Sequence, residues 1–598
     1  MSKMFKRGIK RPAETLQDVT VRDFSGGWNV VDDDLNLKSK FAKLSDNMFR
    51  AESGGLQVRW GTRLFADVAE HLEVIINVFY YDTALVAVGS NGKIVAVKAN
   101  QTLSLIWDST IAAALPGAPQ GWTNELEFCS GVEMQGKLII CNGIDKPVWV
   151  TPGYIVEYVN DPATGSNANV PICRYVISFG GYCIMAGDPI DTSRVHYSHY
   201  RSPGTWFGDA APNEATFLDT FNEVPVGSPV VRGLSYFRDR LVIGYERCNL
   251  IGTVGDHDTG GNHVPTVGDP IANYGLISHH TYQPIGDDLL FLDNVGVPGF
   301  RQSLLSSSIR PNRISQLIDP EIRAALGRVS SDQALLDRVF SIYNQREGQY
   351  MLFIPSDNGL SHTSETRCFS YQSIPSLKIE EWRQFRGWNW RCGCLSALKR
   401  VFLCRGSQIY ILGNRDDPIY ADYELDQETF DDGTVFLDGT GFDNPEGDGV
   451  TIHFDWIFPW SDLGERRRAK HTKYLTLDTK GTAPFTAQMF IDNVFELQPD
   501  LGQPFTDDTL FTDDLGFIRD QPLYDPTLEM EFVGGDAQGF GNAGFGAQFG
   551  GGRNSGDERL YAWNSKFDIF RMRFFGDVME PLRFISVTVS YTGGSIRR

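Results

Sequence analysis

A chain of 598 residues, 41% apolar and 22% charged, is too long for one ordinary hydrophobic core and too apolar to be globally disordered. Its 54 Lys and Arg against 75 Asp and Glu give a formal charge of −21, which disfavours tight tracking of nucleic-acid phosphates but lets DNA slide past. With 39 Phe, 22 Tyr, 12 Trp and 61 Gly, the composition favours pleated faces and tight turns, so an all-β protein is predicted.

The first twelve residues, MSKMFKRGIKRP, carry five positive charges and read either as a solvated tail or as an arm for an acidic or phosphate-bearing partner. They lead into no apolar signal core, and no run of about 20 apolar residues follows, so neither a leader nor a membrane-spanning segment is predicted. Then come Asp23-Phe-Ser-Gly-Gly-Trp-Asn29, Leu44-Ser-Asp-Asn-Met-Phe49 and Gly54-Gly-Leu-Gln-Val-Arg-Trp-Gly-Thr-Arg63. Gly26-Gly27 permits a turn with positive φ, Ser45-Asp46 reads as a short helix start, and Gly54-Gly55 opens a strand over 56–60. Residues 1–70 form an N-terminal arm and attachment element on this reading.

Across 71–414, pairs of alternating apolar segments flank tight turns at Asn91-Gly92, Gln135-Gly136, Gly180-Gly181, Arg238-Asp239, Gly286-Asp287, Glu347-Gly348 and Lys399-Arg400. A hairpin returning every 44 to 61 residues is the imprint of radial β repetition, so a β-propeller-like array is predicted. One helix is expected over 319–326, with Asp319 as N-cap and Pro320 at the first helical position.

Residues 415–598 read as a C-terminal β-sandwich-like domain with long loops. Strands are expected over 450–458, 474–478, 485–491, 567–575 and 582–591. Between them lie acidic stretches holding Asp431, Asp432 and Asp438, then Asp507, Asp508, Asp513 and Asp514, and a Gly-rich run over 534–556. A basic patch, Arg466, Arg467, Arg468, Lys470 and Lys473 with His471 among them, is the one dense cluster of positive charge in the body; it reads as a subunit contact, a phosphate site or a solvated loop.

Motifs for chemistry are missing. Nine irregularly spaced cysteines, several inside apolar strands, suggest buried reduced thiols and a reducing cytoplasm, and Cys392, Cys394 and Cys404 lack zinc-knuckle spacing. There is no HExxH motif, no GxSxG elbow and no calcium loop. Residues 131–137 fit a phosphate loop up to Lys137, but Leu138 stands where Ser or Thr is required. The sequence therefore points away from an enzyme and implies no cofactor or metal.

The phrase Phe24-Ser-Gly-Gly-Trp-Asn29, with Asp46-Asn47, Gly54-Gly-Leu56, Arg59 and Gly61, resembles the start of the tail nozzle proteins (tail tubular protein B) of short-tailed bacteriophages. Pro581-Leu-Arg-Phe-Ile-Ser-Val-Thr-Val-Ser-Tyr591 with Gly593-Gly594 resembles that group's terminal strand; together these blocks cover roughly a tenth of the chain. The resemblance implies a virion tail protein, assembled in the host cytoplasm as a homohexameric tube with β-propellers around a DNA channel. Its neighbours would be a tail adaptor or gatekeeper ring and tail fibres or spikes, and double-stranded DNA would pass without sequence-specific binding. Lumen or gate loops are expected at Asp431, Asp432, Asp438, Asp507, Asp508, Asp513 and Asp514, and a subunit contact at Arg466, Arg467, Arg468 and Lys470. A propeller-based receptor-binding or glycan-degrading tail protein and a cellular propeller hub are the alternatives.

Overall fold

The apolar segments beside the predicted turns form strands, and in the computed structural model these group into antiparallel sheets of four. The structure describes residues 16–596 except 34–35, 52–53, 114–120, 161–164, 209–214, 225–228, 260, 269, 303–308, 331, 356–364, 375–378, 424–426, 430–434, 438–448, 464–467, 482, 484, 493–526, 533–556, 563–565 and 568. The chain divides into two compact units, residues 60–450 and residues 1–59 with 451–598.

The first unit is a β-propeller. Among the described residues seven blades follow in chain order, with inner strands Ile75–Tyr81, Ser130–Met134, Tyr175–Phe179, Gly233–Phe237, Gln283–Ile285, Phe340–Asn344 and Cys392–Leu395. Each inner strand begins a meander outward; in blade 1 it continues through Ala84–Gly89, Ile94–Lys98 and Leu103–Trp107. Blade 4 departs from the pattern, since two short outer segments, Thr266–Val267 and Ile271–Ala272, share the strand Cys248–Thr253. Blade 7 takes its outer strand from far upstream, with Thr62–Asp67 pairing with Gln408–Leu412. The inner strand of blade 7 touches that of blade 1, and the ring is closed.

Apolar layers between successive sheets hold the ring together. Val86, Val88 and Trp107 of blade 1 pack on Leu138, Ile140 and Val150 of blade 2, while Val78 and Val95 of blade 1 pack on Phe402 and Ile411 of blade 7. Sheets covered on both faces read as unbroken apolar runs, which is why all six residues of Ala84–Gly89 are buried.

Six of the predicted turns join an inner strand to the second strand of its blade; in blade 1, Asn91-Gly92 joins the second strand to the third. The equivalent turn there is Asp82-Thr83, which has φ of 42° and 70° without any glycine. The predicted helix is Asp319–Val329, with Ile318 rather than Asp319 at the cap position; the Asp319 carboxylate accepts from the Ser315 hydroxyl at 2.5 Å instead. A second short helix, Gln333–Asp337, follows, capped by Asp332, which accepts from the Ala334 amide at 2.9 Å.

The second unit is a β-sandwich. One sheet runs Asp557–Ala562, Arg468–Gly481, Leu582–Ile596, Leu56–Val58, Met48–Arg50, with Leu16–Val21 also paired to Leu582–Ile596. The other contains Leu44–Asp46, Ile452–Ile457, Ile569–Val578, Phe485–Asp492 and Thr527–Phe532. Inward-facing alternate residues of both sheets form one core, in which Phe574 and Phe584 stack at 5.2 Å. Ser45-Asp46, read above as a helix start, lies in a strand instead, because pairing with Trp456 and Asp455 satisfies the backbone. The N-terminal block and the C-terminal strands thus share one unit, and the boundaries fall at 59/60 and 450/451 rather than at 70 and 414.

Asn47 and Arg59, two residues of the N-terminal block, are structural partners. Asn47 adopts a φ of 55°, accepts from Arg59 Nε at 2.9 Å and donates to the His453 carbonyl at 2.6 Å. Gly61, in the propeller unit, packs so closely on the Ala421 backbone that a Cβ would lie 1.9 Å from its carbonyl oxygen. This is a close approach that only glycine permits.

Candidate functional site

The axis of a propeller is a channel lined by inner strands, and here it holds a cavity of about 420 Å³. Asn77, Ser178, Ser235, Gln283, Ser341 and Arg391 give it a polar lining drawn from different blades. That volume suits a small molecule. It is far too small for a DNA duplex, whose major groove alone is about 12 Å wide.

Every inner strand runs in the same sense along the axis, so the residues just ahead of these strands gather at one mouth. Glu127 and Phe128 precede blade 2, Arg174 blade 3, Arg232 blade 4, His279 and His280 blade 5, Asp337 and Arg338 blade 6, and Arg391 blade 7. They form a network across the axis. Arg174 is ion-paired with Asp337, which also accepts from Gln333 Nε2 at 2.9 Å, and Gln333 in turn accepts from Arg232 at 2.7 Å. Arg391 donates to Glu127 at 2.9 Å. The Arg174 guanidinium lies 4.4 Å from the centre of the Phe128 ring, against which His280 stacks at 4.8 Å.

Burial sets the protonation states at this mouth. It pushes His280 down to about 4 and His279 well below the ordinary value, and the nearby Arg174 charge acts the same way on both. Both rings are neutral near pH 7, and the Leu234 amide donates to His279 Nδ1 at 3.3 Å, leaving the proton on Nε2. Burial raises the Asp337 carboxyl, against the pull of Arg174. Arg338 is lowered by burial and then by the like charge of Arg391. Cys392 and Cys394 line the cavity, and burial raises the Cys394 thiol, which keeps it protonated.

The residues singled out from sequence lie elsewhere. Asp431, Asp432, Asp438, Asp507, Asp508, Asp513 and Asp514 all fall outside the described residues, as do Arg466 and Arg467. Arg468 opens the strand Arg468–Gly481, its Cα opposite Ile596. Lys470 corrects the reading of that patch as an exposed contact: it is 0% exposed, in register with Phe567 and Gly593. Among the described residues no three His, Cys, Asp or Glu side chains converge to hold a metal ion. Eight cysteines are buried and Cys394 is half-buried, all of them free.

Sequence reasoning passed over Arg174, Arg232, Asp337, Arg338 and Arg391. Each is a single charge at the entry to an apolar strand, unremarkable alone. The signal is positional and becomes visible once the hairpins are aligned on their inner strands: a charged residue recurs just before the strand in blades 3, 4 and 7.

No protein-family model and no curated protein matches the sequence. Similar solved structures include PorZ, a bacterial surface component of the type-IX secretion system of Porphyromonas gingivalis, at 14% identity and a TM-score of 0.33, covering 69% of this chain and 44% of that one. The chain therefore spans less than half the length of PorZ. The WD40 β-propeller domain of Doa1 is 9% identical with a TM-score of 0.33, covering 60% of this chain and 99% of that domain. The extracellular domain of a hybrid two-component system, BT4673 of B. thetaiotaomicron, is 10% identical with a TM-score of 0.29, covering 67% and 54%. The fold is all-β with propeller architecture, and among the described residues no helix is long and apolar enough to cross a membrane.

Proposed function

We propose that this chain is a structural virion protein, the tail nozzle subunit of a short-tailed bacteriophage. Six copies would form a tube that closes the DNA channel and opens for genome ejection. One observation carries the reading: the two end blocks that resemble the nozzle group, far apart in sequence, are built into one sandwich, where Leu56 pairs with Phe584 and Gln57 with Arg583. A shared module of that kind would account for a resemblance that is specific at both ends and looser in the blades between them.

The propeller serves as wall in this proposal. Its own axis, with a cavity of about 420 Å³, is not the DNA path, so the genome channel would lie between subunits. The formal charge of −21 per chain would leave six copies little affinity for a passing duplex. The acidic segments over 431–448 and 505–515 are proposed as lumen loops, and an adaptor ring is the expected docking partner.

Mass measurement of the purified chain, alone and with tail adaptor protein, tests the assembly. A hexamer or a ring formed on the adaptor is expected. A monomer under both conditions, together with a virion tail lacking this chain on imaging, would overturn the proposal. Replacing the seven loop Asp residues with Asn should slow ejection; unchanged ejection removes the loop assignment. Binding or cleavage of host polysaccharide by the isolated chain would favour the receptor-binding alternative.

A further inference from the structure

The network at the axial mouth leaves one cation unanswered. Arg174 is paired with Asp337, Arg232 reaches Gln333 and Glu246, and Arg391 holds Glu127. Arg338 has neither a side-chain hydrogen-bond acceptor nor an ion-pair partner among the described residues, although it is half-buried and close enough to Arg391 to feel its charge. Glu127, whose charge also acts on Arg338, is already engaged by Arg391 at 2.9 Å. The Nε atoms of Arg174, Arg338 and Arg391 are all shielded from solvent and lack an acceptor. A half-buried guanidinium without a partner, within reach of the Arg391 charge and with a shielded, unfilled Nε as Arg391 also has, calls for an external acceptor of negative charge. The planar forks of Arg338 and Arg391 match the oxygens of phosphate or carboxylate.

We propose that the axial mouth of the propeller binds a small oxyanion, phosphate or carboxylate, held by the guanidiniums of Arg338 and Arg391. The cavity of about 420 Å³ beneath the mouth, lined by Arg391, His279, His280 and the hydroxyl and amide groups of the inner strands, has room for the remainder of a small ligand carrying that group. The neutral His279 ring, with its proton on Nε2, adds a donor on the cavity wall. This site belongs to a single propeller and does not depend on the nozzle reading.

The test is thermal unfolding of the full chain titrated with inorganic phosphate, and separately with succinate, against potassium chloride at matched ionic strength. A saturable rise in Tm with phosphate or succinate that chloride does not reproduce is expected; which of the two acts identifies the source of the oxyanion. In Arg338→Gln the apparent affinity should fall at least about tenfold. Without ligand this variant should be no less stable than the wild type, because a like charge beside Arg391 is gone. Arg338→Lys should keep a weakened response. An Arg338→Gln response equal to wild type, or no saturable response in the wild type, overturns the assignment. Phosphorus NMR offers a readout that needs no variant: the phosphate line should broaden on adding protein, and a line unaffected under conditions where succinate is also without effect overturns it as well.

Discussion

Arg174 and Asp337 stand 163 residues apart in the chain, yet their ion pair joins the entry of blade 3 to the entry of blade 6. In a ring of seven these blades are as far apart as two can be, so the pair braces the mouth across its axis. Asp337 reaches that position because the short helix Gln333–Asp337 carries it in ahead of the inner strand Phe340–Asn344.

Removing Arg174 should expose the cost of burying its partner. Asp337 is already raised by burial, and without the guanidinium it should climb further. A carboxyl raised in the folded state gives stability that is complete below its unfolded value, near 3.9, and lost as pH rises through the folded value. Arg174→Ala should therefore approach wild-type stability in acid and fall about 1–3 kcal/mol below it at neutral pH. Urea unfolding across that range checks the divergence.

The paired histidines predict the opposite slope. His280 is held down to about 4 and His279 lower still, so both take up protons more readily when the chain unfolds. Their contribution is complete above the unfolded value near 6.5 and is lost as pH falls from there towards about 4. His280→Gln should flatten part of that decline, as read from urea midpoints followed by tryptophan fluorescence.

Two glycines should respond in opposite directions to the same substitution. Gly61→Ala places a methyl 1.9 Å from the Ala421 carbonyl oxygen beside the strand that completes blade 7, and should cost about 3 kcal/mol or more. Gly327→Ala, within the helix Asp319–Val329 and with open space around its Cβ, should stabilise by about 0.5–1 kcal/mol. Denaturant midpoints of the two variants give the comparison.

In the sandwich, Asn47→Ala removes the bonds to Arg59 and His453 and places alanine at a φ of 55°. The expected loss is about 2–3 kcal/mol. Asn47→Gly relieves the backbone but restores neither bond, so it should recover only part of the loss. Chemical denaturation of both variants separates the two contributions.

Much of the propeller is legible in its turns, because a glycine or polar pair between two apolar runs has few other solutions. Blade 1 shows the boundary of that logic: Asp82-Thr83 turns the chain without glycine, while the more conspicuous Asn91-Gly92 lies one hairpin further out. The pairing of Thr62–Asp67 with Gln408–Leu412 has no local signal, since either strand alone would suit any sheet edge. Lys470 illustrates the same difficulty in the sandwich. A basic cluster reads as solvent-facing until strand alternation turns one member inward, and its long stem can lie among apolar neighbours. The mouth was illegible for a related reason: its residues are scattered from Glu127 to Arg391, and only closure of the ring brings them together.

The upstream strand of blade 7 also dictates a schedule for synthesis. Thr62–Asp67 is made well before Gln408–Leu412, with which it pairs, and Leu56–Val58 must wait longer still for Leu582–Ile596. Neither unit can be completed as a nascent fragment, so translation that halts early yields a chain with unsatisfied strand edges, open to aggregation. For this polypeptide, both units stay open until strands hundreds of residues downstream have been made.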